Sequence, residues 1–170
     1  EAKTLLDELQ NTALEQEKKG QSSKFSKKKK TSKLDDDYVP EMDRRTQFEM
    51  YKTKASLYLI KQQAEEVLFP LSQAVSRCNN KRERARLNFI LGQMYLATNG
   101  LDSARISFKK SISPSADYDI SFNGKLNYAV LGSGEKDERV LEKMLRDEKN
   151  AAYKDQIYYA KAQMERGRGN

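Results

Sequence analysis

The sequence predicts an all-α fold: an α-solenoid of helix–turn–helix repeats, with about eight helices and no sheet. Apolar residues recur mostly at spacings of three and four, as they do along one face of a helix. With only 8 Gly and 3 Pro among 170 residues, the chain has few helix breakers and is rich in residues of high helix propensity. No run alternates β-branched and polar residues strongly enough to predict a strand.

One segment has the spacing of a known helical hairpin. Gly92 lies on a first helix, where its missing side chain lets a second helix approach, and Ala104 is the small residue that approaches it. Pro114 would end the second helix, because proline has no N–H to donate. The spacing fits the tetratricopeptide pattern W-x2-L-G-x2-Y…A-x3-F…P, with Asn88 in place of the tryptophan. The matching residues are Leu91, Gly92, Tyr95, Ala104, Phe108 and Pro114.

The flanking segments repeat this spacing more weakly. Upstream, the residues at a constant offset from the hairpin are again apolar or small; they are Tyr51, Ala55, Tyr58, Val67, Leu71 and Ala74. Downstream, residues 118–131 and 135–147 predict another helix pair, and residues 151–166 predict a further first helix. The chain begins with Glu rather than Met, and the repeat pattern is incomplete at both ends. We therefore expect a fragment of a longer solenoid.

The sequence divides the chain into three parts. Residues 1–18 predict a lone helix, the second helix of a preceding repeat. Residues 19–40 are rich in Lys and Ser, and they cannot bury enough apolar surface to offset the entropy of ordering, so they predict a mobile loop. Residues 41–170 predict the tetratricopeptide-like repeat array, ending in mid-repeat. The first predicted helices of this array are 41–61, 64–78, 82–98 and 101–113.

The Lys-rich loop has two interpretations. Its basic centre consists of Lys27, Lys28, Lys29 and Lys30. Together with a formal net charge of +7, these lysines permit binding to nucleic acid or another polyanion. However, residues 18–33 contain no arginine and one aromatic residue, Phe25, and three aspartates follow at 35–37. The composition therefore favours a solvated loop, and we do not expect it to bind nucleic acid.

The residue types exclude several kinds of chemistry. The chain has no histidine, which excludes zinc sites with histidine ligands and both Ser-His-Asp and Cys-His catalysis. Cys78 is the single cysteine and is expected to be a small buried apolar group. No glycine-rich nucleotide-binding motif occurs, and no apolar stretch approaches the ~20 residues that span a bilayer. We therefore expect no enzyme activity, no metal and no cofactor.

The predicted ligand groove lies on the concave face, which first helices line in this class of solenoid. The predicted groove residues are Glu49, Lys52, Arg86, Phe89, Gln93, Lys125, Asp155 and Tyr158. They combine acids, bases and aromatic rings, so they do not indicate the charge of a preferred peptide. Phe89 and Tyr158 have an alternative interpretation as core residues between repeats. The basic cluster at 81–86 is interpreted as the exposed start of a helix.

Two strings in the downstream half are more specific than a generic repeat. They are Lys143-Met-Leu-Arg-Asp-Glu-Lys-Asn150 and Tyr153-Lys-Asp-Gln-Ile-Tyr-Tyr-Ala160. Together with segments 86–95 and 118–127, they make the region from residue 48 to residue 170 resemble one family. That family is the tetratricopeptide-repeat lipoprotein of Bacteroidetes gliding motility and type IX secretion (the PorW/SprE type).

The resemblance implies a non-catalytic scaffold for protein–protein interaction. It implies a periplasmic location, with attachment to the outer membrane through a lipid anchor outside this chain. It also implies partners among the other proteins of the secretion machinery, whose ring and outer-membrane translocon the scaffold would link. The alternative is a general peptide- or polyanion-binding tetratricopeptide module that uses the basic loop and the concave groove. Salt-sensitive binding that is lost when the four loop lysines become Gln would favour this alternative.

Overall fold

The computed structural model describes residues 42–132 and 134–169, and this part of the chain is all-helical, with no β-strand. A 3-10 helix, Glu148–Tyr153, leads directly into the last α-helix. The α-helices of the described residues are α1 (Arg44–Ile60), α2 (Ala64–Arg77), α3 (Lys81–Ala97), α4 (Leu101–Ser111), α5 (Tyr118–Val130), α6 (Glu135–Arg146) and α7 (Lys154–Gly169).

The all-α prediction is confirmed, with seven α-helices in the described residues where about eight are predicted from the sequence. The predicted lone helix at 1–18 lies outside the described residues. The predicted loop at 19–40, with its four consecutive lysines, also lies outside them. Every predicted helix from 64 to 147 occurs within one or two residues of its predicted bounds.

Two predicted helix starts are wrong by three residues. The first described helix begins at Arg44 rather than at residue 41, since the Asp43 carboxylate caps it by accepting a hydrogen bond from the Thr46 N–H at 3.2 Å. The last helix begins at Lys154 rather than at residue 151, because the 3-10 helix occupies the preceding residues. Asp147 caps that 3-10 helix.

Pro70 lies inside α2, which continues through it from Ala64 to Arg77. An interior proline costs about 3 kcal/mol in an ordinary helix. Here Pro70 is buried, and its neighbours Val67, Leu71 and Ala74 are at most 1% exposed. Burial of this apolar face offsets the cost of the missing hydrogen bond.

The connections α1–α2 and α3–α4 have the same geometry. Each contains one non-glycine residue in the left-handed region, Gln62 with φ 56° and Asn99 with φ 58°. Each also contains a backbone hydrogen bond to a tyrosine carbonyl. Gln63 donates to Tyr58 at 3.0 Å, and Gly100 donates to Tyr95 at 2.7 Å. In both pairs, the first helix therefore ends and the second helix begins with the same backbone geometry.

The pair α3–α4 packs closely at Gly92. A Cβ atom built on Gly92 would lie 2.8 Å from Cε1 of Phe108, which is closer than real Cβ contacts. Phe108 and Ala104 are fully buried in α4. The Phe108 ring thus fills the space that the missing side chain leaves, as the hairpin spacing predicts.

Gly92→Val is expected to lower the free energy of unfolding by about 1–3 kcal/mol, because the added carbons overlap the buried Phe108 ring. Urea denaturation followed by circular dichroism measures the change. Gly167→Val is the matched control in α7, since no atom lies within 4 Å of a Cβ there. We expect the control to change stability by less than about 0.5 kcal/mol. Equal losses in the two variants would contradict the close approach.

The helices pack mainly against their sequence neighbours, and two hydrophobic clusters result. The N-terminal cluster joins α1, α2 and α3 around Tyr51, Leu71 and Leu91. The C-terminal cluster joins α5, α6 and α7 around Leu141 and Ile157. In the C-terminal half, α5 contacts both α6 and α7. The described part of the chain is therefore an array of neighbouring helices with two separate apolar centres.

Cys78 follows α2 and is 1% exposed, in agreement with its prediction as a buried residue. Burial raises the pKa of its thiol, which further reduces the thiolate population. We expect native protein to react slowly with Ellman's reagent at neutral pH and rapidly after unfolding in guanidinium chloride. Because the chain has one cysteine, the absorbance reports this site alone. Equal rates in the two states would show that Cys78 is accessible.

Candidate functional site

A groove of about 570 Å³ lies between α1 and α3, and we call it the α1–α3 groove. Its floor is apolar, and the described residues that form it are Ala55, Leu59, Leu71, Leu87 and Ile90. Its rim is charged, with Lys52 on α1 and Glu83 and Arg86 on α3. The volume is within the range of pockets that hold small molecules or a few peptide side chains.

An ion pair joins the two sides of the groove. Nζ of Lys52 lies 2.5 Å from Oε1 of Glu83, and this hydrogen bond raises the pKa of Lys52. Both side chains are about one-third exposed, so solvent screens the pair and its contribution to stability is small. It links the side chains of α1 and α3 at this end of the groove.

A second ion pair, between Arg82 and Asp117, closes the groove where the chain leads into α5. Arg86 is exposed on the same rim, and none of the described carboxylates pairs with it. Guanidinium groups bind carboxylates through two parallel hydrogen bonds. The arrangement can therefore accept an apolar side chain on the floor and a carboxylate at Arg86.

Two of the predicted groove residues, Lys52 and Arg86, meet in this groove. Glu49 and Gln93 are exposed on the same helices but do not line it. The Phe89 ring meets the Phe108 ring edge-on, with centroids 5.6 Å apart and planes at 62°. Phe89 is partly buried and packs within the α3–α4 pair, whereas its alternative interpretation was a core position between repeats.

The other predicted residues lie elsewhere. Lys125 lines a separate groove formed by α4, α5 and α6. Asp155 lines a groove of about 470 Å³ between α5 and α7. Tyr158 is 60% exposed and lines none of these grooves. The predicted groove residues therefore lie on several surfaces rather than on one. The 112–117 connection and the 3-10 helix change the spacing along the chain, so one constant offset does not identify equivalent positions in α3, α5 and α7.

Sequence reasoning missed the roles of Glu83 and Asp117. The basic cluster at 81–86 contains a partial signal, since Glu83 and Arg86 are three residues apart and share one helix face. The ion pair between Glu83 and Lys52 depends on the distance between α1 and α3, however, and no local pattern gives that distance. Asp117 is brought to the rim by the connection that precedes α5.

Other kinds of site are not found in the part of the chain that the structure describes. Residues 42–132 and 134–169 contain no cluster of three or more carboxylate or thiol side chains placed to hold a metal ion. Among the same residues, no helix has both the length and the apolar character needed to cross a membrane. Comparison of the chain with protein-family models, curated proteins and solved structures found no match.

Proposed function

We propose that this chain is a non-catalytic scaffold for protein–protein interaction, built from tetratricopeptide-like repeats. In this proposal, the α1–α3 groove binds a segment of a partner protein. The observation that carries the proposal is the combination in that groove of an apolar floor with an exposed Arg86 that no described carboxylate neutralises. Arginine is enriched among the few residues that dominate binding energy at protein interfaces, and those residues lie in well-packed pockets that exclude water.

Repeated features of the first two helix pairs support the tetratricopeptide-like assignment. Gln62 and Asn99 occupy equivalent left-handed positions, each followed by the same hydrogen bond to a tyrosine carbonyl. The interior positions of the second helices are also equivalent, and all are at most 1% exposed. In α2 and α4 they are Val67, Leu71, Ala74, Ala104, Phe108 and Ser111.

The resemblance of the strings 143–150 and 153–160 supports a more specific form of the proposal. The partners are then other components of the type IX secretion or gliding machinery. The full-length protein is a periplasmic lipoprotein of the outer membrane that links the secretion ring to the translocon. The helix array suits this role, because a repeat array presents long surfaces to more than one partner.

The test is affinity capture with this chain as bait from periplasmic and outer-membrane extract of a type IX-secreting bacterium, at low and high salt. Mass spectrometry identifies the retained proteins. We expect secretion-ring or translocon components to be retained at high salt. Arg86→Ala should reduce their recovery about tenfold if the arginine is a central contact. Lys136→Ala, which removes one exposed positive charge from α6, is the control and should leave recovery unchanged.

Two different outcomes would contradict two different parts of the proposal. Equal recovery with Arg86→Ala and Lys136→Ala would reject the α1–α3 groove as the binding site. Recovery of nucleic acid or cell-wall polymer alone, lost at high salt, would reject the scaffold and favour a polyanion-binding module.

A further inference from the structure

A second groove, of about 490 Å³, lies where the end of α4 meets α5 and α6. Lysines from three helices form its rim: Lys109 from α4, Lys125 from α5 and Lys143 from α6. We call it the lysine-rimmed groove. Its floor is apolar, formed by Ile112, Tyr128, Val140 and Met144.

The charge of this groove is not balanced within the described part of the chain. None of the three rim lysines pairs with a described carboxylate, and Asp147 is the one acidic residue among the described lining residues. Residues 1–41 contain nine lysines and nine acidic residues, so the whole excess of +7 belongs to residues 42–170. The segment that contains the helical array therefore carries a net positive charge of its own, which attracts an acidic partner.

The Tyr128 ring of the floor is held by a cation and a buried carboxylate. The Arg105 guanidinium carbon lies 4.4 Å from the centre of the Tyr128 ring. Nη2 of Arg105 is in turn 2.6 Å from Oδ1 of Asp137, whose side chain is 8% exposed. One face of Tyr128 is thus occupied by a cation that is itself anchored to a buried carboxylate. The ring is fixed before any partner arrives, which reduces the entropy lost on binding.

The far wall is also fixed. The Asn150 side chain is buried and donates a hydrogen bond from Nδ2 to the Met144 carbonyl at 2.7 Å. Its Oδ1 accepts a hydrogen bond from the Tyr118 hydroxyl at 2.5 Å. These bonds hold the 3-10 helix against the end of α6. The unbranched Met144 side chain is the adaptable part of the floor.

We propose that the lysine-rimmed groove binds an acidic segment of a partner protein, in which an apolar side chain is flanked by Asp or Glu. The proposal rests on the scaffold function proposed above and supplies the chemistry of a partner at a second surface. Three lysines around an apolar floor match carboxylates around an apolar side chain. A nucleic acid would use the lysines, but its bases bind mainly by stacking on aromatic rings, and Tyr128 is the one aromatic residue among the described lining residues.

Fluorescence anisotropy with the full chain tests this proposal. The probe is a fluorescein-labelled peptide of sequence Asp-Glu-Leu-Glu-Asp, and the comparison peptide replaces Leu with Ser at the same charge. We expect the leucine peptide to bind at least about tenfold more tightly, because only its side chain covers the floor. Equal affinity for the two peptides would overturn the proposal, and so would preferential binding of a short single-stranded DNA.

The matched variants locate the site. Lys125→Glu combined with Lys143→Glu should weaken binding of the leucine peptide at least about tenfold. Lys136→Glu combined with Lys154→Glu makes the same change in net charge at exposed positions outside the groove, and should weaken it less than about twofold. Equal losses would reject the groove, with circular dichroism confirming that both variants are folded.

The two proposals fail separately. Arg86→Ala alters the α1–α3 groove and should leave binding of the leucine peptide unchanged. If captured secretion components are lost in Arg86→Ala while the peptide still binds, both proposals stand. If wild-type protein captures those components but does not bind the peptide, the lysine-rimmed groove is rejected and the scaffold function remains.

Discussion

Phe108→Ala is expected to lower the free energy of unfolding by about 3–5 kcal/mol, the largest loss that we predict for one substitution. Phe108 is 0% exposed and lies where α3 and α4 are closest, against Gly92. Its ring also meets the edge of the Phe89 ring. Removing the ring leaves a cavity between two helices, and the lost contacts and the cavity both destabilise the fold.

Urea denaturation of the wild type and the variant measures this loss. Ile106→Ala is the control, since Ile106 lies on the same helix but is 55% exposed, and its loss should stay below about 1 kcal/mol. A double variant adds a sharper test. In the Phe108→Ala background, Gly92→Val should cost less than it does alone, because the valine occupies the new cavity. Additive losses would show that the two sites do not contact each other.

Asp137→Ala should lower the free energy of unfolding by about 2–4 kcal/mol. The Asp137 side chain is 8% exposed and pairs with Arg105, which is 34% exposed. Asp137 also accepts a hydrogen bond from the Gly134 N–H at 3.3 Å, at the start of α6. The substitution leaves a partly buried cation without its partner and removes the cap of α6. The exposed third of Arg105 keeps the loss below that of a fully buried pair.

The control for Asp137→Ala is Glu135→Ala, on the first turn of the same helix. Glu135 pairs with Arg139 at 3.2 Å, but both side chains are mostly exposed, so the loss should be below about 0.5 kcal/mol. Arg105→Met combined with Asp137→Leu should recover most of the stability, because an apolar pair needs no compensating charge. Failure of this double variant to recover stability would show that the cap, rather than the ion pair, dominates.

The helices could be predicted well from the sequence because their signals are local. Spacing of apolar residues and the Asn99-Gly100 turn determine where α3 and α4 begin and end, and Gly92 and Phe108 identify how they pack. The two wrong helix starts have local causes of another kind. The Asp43 cap and the 3-10 helix Glu148–Tyr153 decide the boundaries there, and the apolar spacing does not report them.

The grooves could be predicted only in part, because they depend on how helices distant in sequence are placed. Lys52 and Arg86 could be predicted, because the sequence spacing of the α1–α2 pair matches that of the α3–α4 pair at a constant offset. That offset fails after α4. Lys125 and Asp155 consequently line two other grooves. The position of the Tyr128 ring beneath the lysines could not be predicted, because it depends on the contact with Arg105, which pairs with the buried Asp137.

The two hydrophobic clusters have a mechanical consequence. Each cluster gathers residues from three successive helices, so its assembly closes only short loops and costs little chain entropy. Amide hydrogens of α1–α3 and of α5–α7 should accordingly exchange with deuterium as two groups, each with its own opening free energy. Under a pulling force, we expect the two clusters to unfold one after the other. One end of the array can open and close again while the other end stays folded.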